Sequence, residues 1–313
     1  MANHITIDAS PDTVHWAIFD AALPPVATID SGDTVTLNTV SGGPDVLPDD
    51  SFEILPEHRE IHEKVTPGGA GHIMTGPVAV RGAQPGDMLE VRIQDVSLRT
   101  DWGWNRIRPL AGTLPEDFPT MTLNHLRLDR EKMVGHMPWG VDLPLSPFFG
   151  VMGVAPPPAW GRITSIIPRA HGGNLDIKAL SAGTTLYLPV FNDGGLFSAG
   201  DGHAVQGDGE VNGTAIETCL SGTFQLILHK NTPITMPRAE NDSVYITTGI
   251  DPSLDNAAKQ ALREMIGLIQ EKTNLSKEDA YMLCSLAADL RVSQTVNVHK
   301  GVHVMLKKSA LHG

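Results

Sequence analysis

Between Pro189 and Glu217 the chain reads PVFNDGGLFSAGDGHAVQGDGEVNGTAIE, which sets Asp193, Asp201, Asp208, Glu210 and Glu217 around a single histidine, His203. No Lys or Arg occurs from Ala179 to His229. Carboxylates gathered in a fold without a cation repel one another, so solvent, distant Arg or Lys, protons or a bound cation must neutralise them. Asp201 and His203 flank Gly202, and alternate residues of a strand point the same way, so both can reach one metal ion. Asp208 and Glu210 share that spacing, which suits one ligand and one orienting carboxylate. Glu217 lies in the apolar run VNGTAIETCL, where an unpaired carboxylate is costly to bury. It is the preferred general base, with Glu210 the other choice. A buried Glu217 held by backbone N–H groups or by Arg169 is the structural alternative. Together these groups supply the parts for activating a water molecule: a metal site and a proton carrier beside it.

The flanking runs TTLYLPVF and AIETCL are apolar and strand-like, so core segments pin the acids at both ends. Glycines 194, 195, 200, 202, 207, 209 and 213 supply the turns that aim them. Upstream, ITIDAS and VATIDSGDTVTLNTV alternate β-branched and polar residues, as strands do. PVAV and MLEVRI flank AQPGD, which predicts a hairpin. Thr100 to Pro158 is rich in Trp, Pro and Phe and reads as a long excursion packed on the strands, roofing a pocket or meeting another subunit. His15 and Asp20 read as a hydrogen-bonded pair near a strand end. His58 and His62, four apart in EHREIHEK, read as an exposed helical turn. After Asp251 the period changes to 3.6, with Ala258, Leu262, Met265, Ile266 and Ile269 on one helical face. A second helix begins at the N-cap Ser276, and a hairpin around Lys300 and Gly301 ends the chain. The fold class is therefore mainly β: a two-sheet antiparallel sandwich, jelly-roll-like, over residues 1–250, with a small C-terminal α/β part over 251–313 packed on it.

Two further stretches carry chemistry-bearing residues. His72 precedes TGP at a strand start, and PRAHGGNLD joins His171, Asn174 and Asp176 around a Gly pair. GGNLDIKAL, then LYLPVFNDGGLFSAGDGHAVQGDGE, with FFGVMGVAPPP before them, resembles the acetamidase/formamidase family of metal-dependent amide hydrolases. The resemblance implies hydrolysis of a small neutral amide, formamide or acetamide, to the acid and ammonia. It raises His72 to a further metal ligand beside Asp201, His203 and Asp208, and places Asn174 in a GGNxD motif. Asn174, His171 and Asp45 are the candidates for holding substrate. Imidazole favours zinc, while a carboxylate-rich, glycine-turned loop favours calcium. Asn192-Asp193 and Asn212-Gly213-Thr214 depart from the family pattern and leave the choice of amide open.

A net charge of −13 argues against nucleic acid or an anionic membrane as partner. Charged residues make up only 19%, and 31 Gly with 23 Pro favour short strands and many turns. Cys219, in an apolar run, and Cys284, in an expected helix, read as buried thiols, not a disulfide framework. No secretory leader or spanning segment is visible, so the expected place is the cytoplasm, with a homo-oligomer the expected assembly. Walker, GxGxxG, GxSxG and HExxH patterns are absent. Besides a hydrolase, two other classes fit: a non-catalytic metal-dependent ligand-binding β-sandwich, and a module whose acidic face docks a basic partner.

Overall fold

A computed structural model describes residues 2–311. Two large sheets face each other. The nine-stranded sheet runs, in spatial order, through His4–Ile7, Thr34–Asn38, Leu220–His229, Met88–Leu98, Thr185–Pro189, Arg238–Glu240, Val244–Asp251, Lys300–Lys307 and Ala288–Gln294. The eleven-stranded sheet is built on Phe197–Val205. Pairing is antiparallel except where His4–Ile7 meets Thr34–Asn38 and Ala27–Ile29 meets Ile73–Val80. The main core lies between the sheets. Leu220–His229 alternates cleanly, with Leu220, Gly222, Phe224 and Leu226 inward. Phe224 meets Phe149 and Phe197 of the opposite sheet at ring-centroid distances of 5.6 and 5.4 Å. Gly222 makes room for them: a Cβ there would stand 2.4 Å from the Phe149 ring.

The mainly-β expectation holds, but four local expectations do not. Ile73–Val80 and Met88–Leu98 are joined by the expected tight turn yet enter different sheets, so they form no hairpin. Thr100 to Pro158 is no irregular excursion: Trp102–Ile107, Thr122–Asp129, Val134–His136, Asp142–Pro144 and Phe148–Gly153 are strands of the eleven-stranded sheet. His15 pairs with the Ile18 carbonyl at 2.7 Å and Ser198 Oγ at 2.9 Å, while Asp20 faces Arg162.

Three α-helices among the described residues complete the fold: α1 (Pro56–Lys64), α2 (Leu254–Lys272) and α3 (Lys277–Ala287). In α1, His58 is buried and His62 half-buried, contrary to the expected exposed turn; both donate from Nε2 to the Gly42 carbonyl. Helix α2 buries Ala257, Ala261, Met265 and Ile269 against Val302, Val304 and Leu306. Its close approach requires glycine at 249, where a Cβ would fall 1.9 Å from the Ala257 carbonyl. Ser276 caps α3 by accepting from the Asp279 N–H. The closing hairpin pairs Ala288–Gln294 with Lys300–Lys307. No helix among the described residues is long and apolar enough to cross a membrane.

Candidate metal centre and active site

The site forms where one strand changes partners. Phe197–Val205 pairs along one edge with Phe148–Gly153. Its other edge is shared: Ile73–Val80 covers residues 197–200, and Ile216–Glu217 covers 203–205. Between those partners, at Asp201 and Gly202, the ladder opens. His72 arrives at the gap from one side and Glu217 from the other. Asp201 sits there in the left-handed region, φ 57°.

Four carboxyl groups converge on His203 in this gap, those of Asp176, Asp201, Glu210 and Glu217. His203 Nε2 lies 3.2 Å from Asp201 Oδ2 and 3.3 Å from Glu217 Oε1. On the other side of the ring, Nδ1 stands 3.9 Å from Asp176 Oδ1. His72 Nε2 is 3.7 Å from Asp201 Oδ2, and its Nδ1 faces Ser165 Oγ at 3.2 Å. Asn297, from the closing hairpin, donates to Asp176 Oδ2 at 2.5 Å. Glu217 Oε1 also accepts from the Ala215 N–H at 2.9 Å. Asp176 and Glu210, like Asp201, have positive φ, at 49° and 45°. Such backbone costs of order 1–3 kcal/mol for an ordinary residue, and here it recurs at three of the four acids.

Electrostatics follow from burial. Desolvation and then neighbouring acids push Asp176 up to about 7 and raise Glu210 well above the carboxylate range; desolvation likewise raises Glu217. Burial opposes charge on His203 too, but Glu217 and Asp201 outweigh it and raise its pKa. Burial would also raise Asp201, yet His72 and His203 hold it low.

The donor set fits a divalent ion. Asp176 Oδ1, both His203 ring nitrogens and Glu217 Oε2 are buried with no hydrogen-bond partner among the described residues. Orphaned polar atoms of that kind demand a ligand, since leaving them unmet is costly. Ligands held at about 2.0–2.1 Å around a tetrahedral zinc ion stand about 3.3–3.4 Å apart, close to the two Nε2–carboxylate separations. Gly150 keeps the space clear: a Cβ there would lie 2.5 Å from both Asp176 Oδ1 and Asp201 Oδ2.

A cavity of about 430 Å³ opens onto this centre. Asp201, Glu210, Glu217, Asn174 and Asn297 line its buried end, with His72 beside them. Trp16, Trp104, Asp45, Arg106 and Arg108 line it too, Asp45 and Arg108 being exposed. Asn174 Oδ1 has no partner among the described residues. Of the residues expected from the sequence, Asp201, His203, Glu210, Glu217 and His72 come together, and Asn174 and Asp45 border the same cavity. Two do not join them. Asp208 turns outward to Lys178 at 3.2 Å and Arg291 at 3.8 Å, because the strand ends at Val205 and the next residues turn. His171 is enclosed against Phe19 and Trp160, away from the cavity, and burial pushes its pKa down to about 3. Arg169 stacks on Trp160 and is not the partner of Glu217. Asp176, Asn297 and Gly150 were not among the expected site residues. Only Asp176 had a sequence signal, its place in GGNxD.

A β-sandwich whose sheet opens on a buried carboxylate–imidazole centre beneath a cavity is the architecture these observations define. The acetamidase/formamidase family profile matches residues 8–162 and 159–307, and the chain belongs to that family. It is 31% identical over 192 residues to a formamidase of Methylophilus methylotrophus, a match spanning 45% of this chain and 47% of that protein. The chain thus matches about half the length of that curated relative. Among solved structures it superposes on an acetamidase from Bacillus halodurans with a TM-score of 0.83 at 34% identity, covering 96% of this chain and 97% of that one. An acetamidase from Yersinia enterocolitica gives 0.87 at 27% identity, covering 99% and 93%.

Proposed function

We propose that the chain is a metal-dependent amidohydrolase that converts short aliphatic amides, of the formamide and acetamide type, to the carboxylic acid and ammonia. The convergence of Asp201, His203 and Glu217 at the buried end of the cavity, in a chain of this family, carries the reading. These three would hold the ion, with His72 beside Asp201; imidazole and the short separations favour zinc over calcium. A bound divalent ion there supplies Lewis-acid polarisation of the carbonyl and lowers the pKa of water.

The chain's own residues supply the rest. The Glu210 carboxyl accepts no hydrogen bond from the protein among the described residues, borders the cavity and has a raised pKa. It is therefore assigned the proton transfer, taking a proton from the attacking water and delivering it to the amide nitrogen. Glu217, whose Oε1 accepts from the Ala215 N–H and lies 3.3 Å from His203 Nε2, is assigned a ligand's role. This exchanges the two glutamates relative to the sequence expectation. Asn174 Oδ1 is free to accept from the substrate amide N–H, which orients the carbonyl. Asn297 fixes Asp176 behind the His203 ring.

Elemental analysis followed by ammonia release from formamide and acetamide tests the reading. Stoichiometric metal with turnover is expected; metal without turnover would sink the enzymatic assignment, and turnover without metal the metal dependence. Self-association is proposed through α3 and the strand after it, where Leu286 is 85% and Leu290 50% exposed beside Tyr281 and Met282. A monomer by light scattering would dismiss it.

A further inference from the structure

The cavity exceeds what the smallest amides need and is lined by charges of both signs. Its volume of about 430 Å³ lies within the roughly 300–1,000 Å³ that drug-sized ligands occupy. Formamide or acetamide at the buried end would leave most of it to water. The buried carboxylates of Asp201, Glu210 and Glu217 line it together with two guanidinium groups, that of Arg106, whose side chain is 13% exposed, and that of the exposed Arg108.

Register fixes where the cations stand. Glu217 pairs directly with Trp104 across adjacent strands, so the two side chains share a face of the sheet. Arg106 lies two positions beyond Trp104 on the same strand and therefore on the same face, about 7 Å further along. Its guanidinium stacks over the Trp104 ring at 5.2 Å. Nη1 donates to Asp45 Oδ2, but Nε is buried with no partner among the described residues. Arg108, exposed at its surface, has no carboxylate within ion-pairing distance among the described residues, and partial desolvation followed by the charge of Arg106 lowers its pKa. A buried unmet donor beside an unpaired guanidinium is a site waiting for an acceptor anion. Asp45 meets part of that demand and leaves the rest open.

We infer that the cavity takes an amide bearing a carboxylate: a dicarboxylic acid monoamide, with its amide at the Asp201–His203–Glu217 end and its carboxylate at Arg106 and Arg108. The spacing of about one pleat repeat suits two to four carbons between the two groups. This rests on the amidohydrolase reading and names the substrate class within it. The net charge of −13 repels an anion at long range, so the guanidinium pair must provide the attraction locally.

The test compares glutaramate with pentanamide, which has the same acyl length and no carboxylate. In the wild type, kcat/KM should favour glutaramate by about tenfold or more, with the difference carried in KM. Arg108→Gln should erase that ratio, and Arg108→Lys should restore part of it, since an ammonium keeps the charge but not the fork. Equal or better use of pentanamide, or a ratio untouched in Arg108→Gln, overturns the inference while leaving the amidohydrolase reading in place. If no amide turns over, that reading fails, and calorimetry still decides this one. Glutaramate bound more tightly than pentanamide through Arg108 upholds the anion end of the cavity, and equal binding overturns it.

Discussion

His203 Nε2 stands 3.3 Å from Glu217 Oε1 because the two residues pair directly across adjacent strands. Backbone register sets this separation, so the centre should survive the loss of one donor without collapse of the sheet. His203→Ala is expected to keep the far-UV spectrum of a β protein and lose both the divalent ion and turnover, the latter by about a hundredfold or more. Elemental analysis and ammonia release read the two together. Full metal content in the variant would remove His203 from the ligand set.

Gly150 is the place where the site can be filled without substituting any of its acids or histidines. In Gly150→Ala the new methyl would stand 2.5 Å from Asp176 Oδ1 and Asp201 Oδ2 and 2.7 Å from His203 Cε1. Overpacking of this kind costs about 1–3 kcal/mol, small enough to leave the protein folded. The expected outcome is a modest drop in melting temperature with severe loss of metal affinity and activity. A variant as active as wild type would mean that the space between those carboxylates is not used.

What the sequence revealed and what it hid divide along a physical line. Asp201 and His203 were legible because alternation on a strand is local, and Glu217 because an acid in an apolar run is conspicuous anywhere. Asp208 misled for the same local reason: its spacing to Glu210 matched, but the strand had already ended at Val205, and Lys178 and Arg291 claim its carboxylate. AQPGD encodes a turn and not the partners of the strands it joins, so the link between sheets read as a hairpin. Gly150 and Asn297 gave no signal, since one contributes empty space and the other a contact across 121 positions of chain.

A pH effect separates the buried histidines from the acid cluster. His303 is buried against Ser293 Oγ at 2.8 Å, and burial lowers its pKa from 6.5 to about 4. Its folded pKa lies below its unfolded value, so its contribution is complete above about pH 6.5 and is lost as pH falls towards 4. In that window the unfolded chain binds a proton that the native chain refuses. The raised carboxyls Asp176, Glu210 and Glu217 act in the opposite sense, so the whole-protein curve mixes both. The difference between wild type and His303→Asn isolates the histidine: the variant should lose less stability between pH 6.5 and 4, by an amount of order 1–3 kcal/mol. Parallel curves from urea melts would show that His303 is not held neutral.

The last prediction separates proton carrier from ligand. Glu210 and Glu217 both border the cavity and both have raised pKa values, but their surroundings differ. Glu217 Oε1 is held by the Ala215 N–H with His203 Nε2 3.3 Å away, which suits a fixed donor, whereas among the described residues the Glu210 carboxyl is engaged by no donor and can exchange protons with a ligand. Glu210→Gln should retain the ion and the fold while kcat falls by about 10²- to 10⁴-fold, the usual contribution of general acid–base catalysis. KM should change little, because the amide keeps its shape. Glu217→Gln should instead weaken the ion, since a neutral carboxamide is a poorer ligand for a divalent cation, and part of its lost activity should return when excess metal is supplied. The metal titration is the decisive readout, because a proton carrier cannot be rescued by metal. A Glu210→Gln enzyme of normal kcat beside a metal-loaded, inactive Glu217→Gln would reverse the two assignments and return the base to Glu217.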